Sequence, residues 1–160
     1  MMPKRMLFVC TGNSCRSVMA QGLMRHALAQ AGAAAVSVES AGTFAITGMT
    51  PTRETQRVLA DAGIDCSAHR ARALTPEMIA EADLILVMEP SHLHEVLRRV
   101  PDARSKTHLL KTYGLPEEEL VVSPYVPDPI GKPLEVYEVC FGEIREAVER
   151  VARSLGVASA

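Results

Sequence analysis

A short apolar run, Arg5-Met-Leu-Phe-Val-Cys10, stops abruptly at Thr-Gly-Asn-Ser, and an arginine then opens a pattern of helical periodicity. The run suits a buried parallel strand ending at Cys10. From Arg16 to Ala31, apolar residues recur at helical spacing (Met19, Ala20, Leu23, Met24, Ala27, Leu28), and Gly32 stands where a C-terminal cap belongs. Cys10-Thr-Gly-Asn-Ser-Cys-Arg16-Ser17 therefore places a cysteine at the end of a strand, five loop residues, and an arginine where a helix begins. Successive backbone N–H groups of such a loop converge on an oxyanion, and the helix N-terminus adds the positive end of its dipole. Arg16 can fork onto two oxygens of a bound anion, and the same field favours the Cys10 thiolate.

The rest of the chain repeats the alternation. Val36 to Glu39 reads as a strand, Pro51 to Ala62 as a helix closed by Gly63, Pro76 to Ala82 as a short helix, and Asp83 to Met88 as a buried strand. Leu93, Val96, Leu97 and Val100 make one face of a helix, a short strand is expected near Thr107 to Leu110, and a long closing helix from about Leu134 to Leu155. This order predicts an α/β three-layer sandwich with a mainly four-stranded parallel sheet and a phosphate-binding loop between strand 1 and helix 1. Tyr113 to Pro133, with five prolines, is the one long irregular stretch and a candidate functional loop.

At 160 residues, 48% of them apolar, the chain fits a single domain over its whole length, residues 1–160. Its 17 basic and 19 acidic residues nearly cancel, so nothing global points to nucleic acid or to a membrane as partner. The apolar run at Met6 to Cys10 is too short for the core of a signal peptide. Four cysteines at irregular spacing resemble neither a secreted disulfide framework nor a zinc site, so a cytoplasmic protein with free thiols and no metal is expected.

The motifs together resemble the low-molecular-weight protein tyrosine phosphatase family, which includes bacterial protein-arginine phosphatases and, on the same fold, arsenate reductases. The likeness runs through Phe8-Val-Cys-Thr-Gly-Asn-Ser-Cys-Arg-Ser17, Ser40-Ala-Gly-Thr43, His69-Arg-Ala-Arg72, Ala82-Asp-Leu-Ile-Leu-Val-Met88 and Asp128-Pro129. The resemblance implies that Cys10 attacks phosphorus to give a phosphocysteine, that Arg16 binds the phosphoryl oxygens, and that Asp128 protonates the leaving atom and then activates water. It assigns Thr11, Gly12, Asn13, Ser14, Cys15 and Ser17 to the phosphate loop, and Asn13, Ser17, Ser40 and His69 to the polar network that holds its shape. It also implies that Cys15 traps an oxidised Cys10 as a reversible disulfide. The implied partner is a phosphorylated protein, with no cofactor; the oligomeric state is left open.

Ser14, Val18 and Ile130-Gly131 depart from the commonest tyrosine-phosphatase pattern, and the chain has no Trp and only 4% aromatic residues. The arginine phosphatases resemble this chain in having a hydroxylated residue at position 14, and at Phe44, a candidate substrate-pocket residue. Phosphotyrosine is the first reading of the substrate and phosphoarginine the alternative. Arsenate reduction is disfavoured because 83–94 holds no cysteine to relay oxidation outward and Cys66 precedes that strand. A non-catalytic phosphoprotein-binding module is disfavoured because Cys10 and Asp128 are both present. Cys66 and Cys140 lie outside every motif and read as structural thiols. His92 and His94 are two apart, on different sides of a helix, and they read, like Arg98-Arg99, as part of a solvated face.

Overall fold

The computed structural model describes residues 2–119 and 123–157. Four parallel strands, β1 (Arg5–Cys10), β2 (Ser37–Gly42), β3 (Leu84–Val87) and β4 (Thr107–Leu109), form a sheet in the order β2-β1-β3-β4. The helices are α1 (Arg16–Gln30), α2 (Arg53–Asp61), α3 (Pro76–Glu81), α4 (Pro90–Arg99) and α5 (Leu134–Ser154). The period-two alternation of β1 assigns the two faces of the sheet. Met6, Phe8 and Cys10 pack into the core shared with Met19, Leu23 and Met24 of α1 and Ile144, Val148 and Val151 of α5. Leu7 and Val9 pack on the other side with Ile79 of α3 and Val96 of α4. All four residues of β3 are buried, as a strand covered on both faces requires.

The sequence-based boundaries shift where tertiary partners intervene. The second strand, expected to end at Glu39, continues to Gly42, because Ser40, Ala41 and Gly42 pair with Phe8, Val9 and Cys10. On its other side Gly42 donates to Arg72 O at 3.0 Å and accepts from Leu74 N at 2.8 Å. Pro51 lies outside α2, since Thr52 is the N-cap and its Oγ1 accepts from Thr55 N at 3.3 Å. Asp83 stands before β3, where its carboxylate takes the N–H groups of Lys4 and Arg5, each at 2.9 Å, and ties down the start of β1. A 3₁₀ turn at Pro101–Lys106 has no periodic signal in the sequence, and part of the expected irregular stretch, residues 120–122, lies outside the described residues.

The chain leaves β1 through α1 to β2 on one side, while β3 pairs on the other, so β1 is the point where strand order reverses. Ligands of open α/β sheets sit outside the carboxyl ends of strands at such a point. Cys10 ends β1, and Met88-Glu89 follows β3 directly beside it, with Met88 N donating to Val9 O at 3.2 Å. Among the described residues, no helix is long and apolar enough to cross a membrane.

Candidate active site

The loop from Cys10 to Arg16 turns back on itself at Asn13, whose φ of 54° lies in the left-handed region. Asn tolerates that region better than most side chains, and here the side chain itself stabilises it. Asn13 Nδ2 donates to Ser17 Oγ at 2.8 Å and Ser40 Oγ at 2.9 Å, and Oδ1 accepts from Arg72 N at 3.0 Å. Ser40 Oγ passes its own proton on to Gln21 Oε1 at 2.8 Å. His69 Nε2 lies 3.0 Å from Asn13 O, and since a carbonyl only accepts, Nε2 carries the proton. Burial, reinforced by Arg25, Arg72 and Arg70, pushes the His69 pKa down against the opposing pull of the Asn13 hydrogen bond, which favours that neutral ring. Asn13, Ser17, Ser40 and His69 thus meet in one set of hydrogen bonds around the loop.

Two contacts of this loop reach the Cys10 sulfur. Ser17 Oγ is 2.9 Å from Cys10 Sγ and already accepts from Asn13, so its proton is available to the sulfur. Asn13 N–H donates to the same sulfur at 3.3 Å. Among the described residues, the N–H groups of Gly12, Ser14, Cys15 and Arg16 meet no protein acceptor, although this loop is largely buried. Unpaired donors at a helix N-terminus form an anion cradle. Arg16 lies beside it: its side chain is only 1% exposed, with Nη1 donating to Val126 O at 2.7 Å and lying 3.3 Å from Glu89 Oε2, and Nη2 3.6 Å from Asp128 Oδ2. Such a buried guanidinium is held rigidly and is partly neutralised from two sides.

Asp128 comes from the irregular segment, where its Oδ1 accepts from Ile130 N at 3.1 Å and its side chain stays 40% exposed. Cys10, Thr11, Gly12, Ser14, Cys15, Arg16, Asp128 and Ile130 line one cavity of about 170 Å³. It brings together the cysteine, the arginine and the aspartate of the sequence motifs and is large enough for a tetrahedral oxyanion. A larger cleft of about 580 Å³ is lined by Arg25, Asp65, Cys66 and Arg70 together with Ser40 and His69. It holds neither Cys10 nor Asp128, so size does not mark the chemical centre. Among the described residues no group of three or more His, Cys, Asp or Glu side chains could hold a metal ion.

The sequence model of the low molecular weight phosphotyrosine protein phosphatases matches residues 5–159. The chain belongs to this family. It is 36% identical over 154 residues to a protein-arginine-phosphatase of Geobacillus stearothermophilus, covering 96% of this chain and 97% of that protein. It is 34% identical over 149 residues to the low molecular weight protein-tyrosine-phosphatase Etp of Escherichia coli K12, covering 93% of each. The fold superposes with a TM-score of 0.84 on the tyrosine phosphatase Wzb from Escherichia coli K30 in complex with sulphate, at 32% identity, covering 97% of this chain and all of that one. The family is one of hydrolases of phosphorylated proteins.

At His92, Arg99 and Phe44 the structure differs from the sequence-based expectation. His92, expected on a solvated face, is 2% exposed and reaches the phosphate loop with Nε2 at 2.8 Å from Thr11 Oγ1. His94, two residues on, is exposed as expected. Arg99 also leaves the solvated face: it donates to Leu74 O at 2.5 Å and Thr43 O at 3.2 Å, while Arg98 stays in solvent beside Glu95. Glu89 carried no signal at all, because only the junction of β3 and α4 shows that it faces Arg16. Phe44, expected in the substrate pocket, donates its backbone N–H to Thr11 O at 2.9 Å, but its ring is 85% exposed and it does not line the cavity, whereas Ile130 does. Cys140 is a buried thiol whose pKa burial pushes up to about 12. Cys66 lies half-buried in the wall of the larger cleft, and Cys15 is buried with Sγ 3.5 Å from Thr52 Oγ1 and 3.7 Å from Tyr137 OH.

Proposed function

We propose that this phosphatase hydrolyses phosphotyrosine in proteins through a phosphocysteine at Cys10. The observation that carries the reading is the convergence of Cys10 Sγ, the unpaired loop N–H groups, the buried Arg16 and Asp128 on one small cavity. In the first step Sγ attacks phosphorus, the bond from phosphorus to the leaving oxygen breaks, and Asp128 gives that oxygen its proton. The loop N–H groups and Arg16 stabilise the charge that spreads over the non-bridging oxygens. In the second step Asp128 takes a proton from water, water attacks phosphorus, the S–P bond breaks, and inorganic phosphate leaves. Wzb, a relative with the same fold, was solved with sulphate, an anion of the shape this cradle fits.

Phosphoarginine is the second reading, favoured by one observation: Ser14, small and hydroxylated, lines the cavity in place of an apolar wall. The 36% identity to a protein-arginine-phosphatase supports it. Cys15 extends the proposal to redox protection. Peroxide would oxidise Cys10 to a sulfenic acid, which the Cys15 thiol converts to a disulfide with loss of water. We place the enzyme in the cytoplasm, where reductants restore both thiols.

The test compares kcat/KM on matched phosphotyrosyl and phosphoarginyl peptides for wild type and Cys10→Ser. Covalent catalysis predicts a loss of at least about a thousandfold in Cys10→Ser with inorganic phosphate still bound. Near-normal turnover by that variant would exclude the phosphocysteine route, and a preference for phosphoarginine would reverse the order of the two substrates.

A further inference from the structure

The pair His92 and Thr11 is joined across the site by a hydrogen bond whose direction follows from its surroundings. His92 Nδ1 lies 3.1 Å from Glu89 N, and a backbone N–H can only donate, so Nδ1 is an acceptor without a proton. The proton of the neutral ring is therefore on Nε2, which faces Thr11 Oγ1 at 2.8 Å and Glu89 Oε2 at 3.5 Å, both able to accept. Burial and, after it, the charge of Arg16 hold the His92 pKa down at about 4, against a smaller opposing pull from Asp128, so the ring is neutral near pH 7.

Thr11 Oγ1 thus accepts from His92, and its second lone pair faces Arg16 Nη2 at 3.5 Å. A hydroxyl has two lone pairs and one proton. With both acceptor sides engaged by donors, what remains is the O–H, which among the described residues has no protein acceptor, and Thr11 lines the cavity. We propose that His92 is a positioning residue which turns the Thr11 hydroxyl into a one-way donor to the phosphoryl group of the substrate. The Cys10 loop then offers the anion a side-chain donor beside its backbone N–H groups, on the side of the cavity where Arg16 and Asp128 meet. The same ring caps the start of α4 at Glu89 and so steadies the carboxylate beside Arg16.

This rests on the cavity being a phosphate site, and the experiment separates the two claims by using inorganic phosphate itself, measured by calorimetry without any turnover. Thr11→Val, which keeps the shape and removes the hydroxyl, should weaken phosphate binding about tenfold, while Thr11→Ser should restore it to within about threefold of wild type. His92→Leu should weaken it about fivefold in the wild-type background and by less than about twofold in Thr11→Val, because His92 acts through a hydroxyl no longer present. His92→Gln, whose amide N–H reaches toward Thr11, should fall between wild type and His92→Leu. Thermal melting checks each fold, and if His92→Leu does not fold, His92→Gln combined with Thr11→Val closes the same cycle. Equal phosphate affinity in Thr11→Val and wild type, or losses at the two positions that multiply, would overturn the proposal. A wild type that binds no phosphate would overturn the phosphate site itself.

Discussion

Gly42 ends β2 against the phosphate loop, with no room for a side chain, and Gly42→Ala is a direct perturbation of the site. A Cβ there would lie 2.4 Å from Thr11 O, 2.9 Å from Ala45 Cβ and 3.0 Å from Asn13 N. Carbon and carbonyl oxygen meet at about 3.3 Å, so the loop backbone must retreat by about 1 Å. No flexible side chain can yield in its place, because the two atoms on the loop side are main chain. Retreat would strain the bonds from Thr43 N to Cys10 O and from Phe44 N to Thr11 O, both 2.9 Å, which register the loop against β2. Overpacking of this kind costs about 1–3 kcal/mol in stability. The effect on rate should be larger, since a displacement of about 1 Å in a positioned group is worth about a hundredfold. The assay is kcat/KM on para-nitrophenyl phosphate together with a urea melt. Gly142→Ala serves as control, for its Cβ meets nothing within 4 Å and it should leave the rate alone and add about 0.5–1 kcal/mol to helix α5. Gly42→Ala with activity within about threefold of wild type would refute the claim that this contact sets the loop.

Asp128→Asn should slow alkyl and other poor leaving groups by about 10²–10⁴ and activated aryl phosphates far less, as rate measurements across a leaving-group series will show. Equal slowing of all of them would make Asp128 a structural residue. Ser14→Ile should shift the ratio of kcat/KM toward phosphotyrosyl over phosphoarginyl peptides by about 10–200-fold, because a branched wall favours a flat ring; a ratio unchanged within about twofold removes position 14 from specificity. The folded-state pKa of His92, held at about 4, lies below the value near 6.5 expected when unfolded, so the unfolded chain takes up the extra proton as pH falls between them. The contribution is complete above about pH 6.5 and is lost toward pH 4, on the order of 2–3 kcal/mol; urea melts at pH 7 and 4.5 should show His92→Gln losing about that much less than wild type, and parallel losses would contradict the neutral, buried ring.

The sequence alone determined whatever depends on neighbours along the chain. The apolar run that ends at Cys10, the turn residues after it and the helical spacing from Arg16 specify a strand, a loop and a helix, because periodicity and turn chemistry are local properties. That order already carries the anion cradle, for its parts are contiguous backbone. Asp128 was legible only by its likeness to a known motif, since Pro-Asp-Pro by itself is a turn. Tertiary structure alone decided the rest. His92 and Thr11 are 81 positions apart, and a histidine in an amphipathic helix gives no sign of facing a loop beyond the neighbouring strand. Glu89 faces Arg16 because β3 lies beside β1, and the extension of β2 to Gly42 depends on pairing with β1 and on the arrival of Ala73 at its edge. The necessity of Gly42 is of the same kind. Which atoms come within 2.4 Å of an added carbon is a matter of strand register, and register is fixed only when the whole sheet assembles.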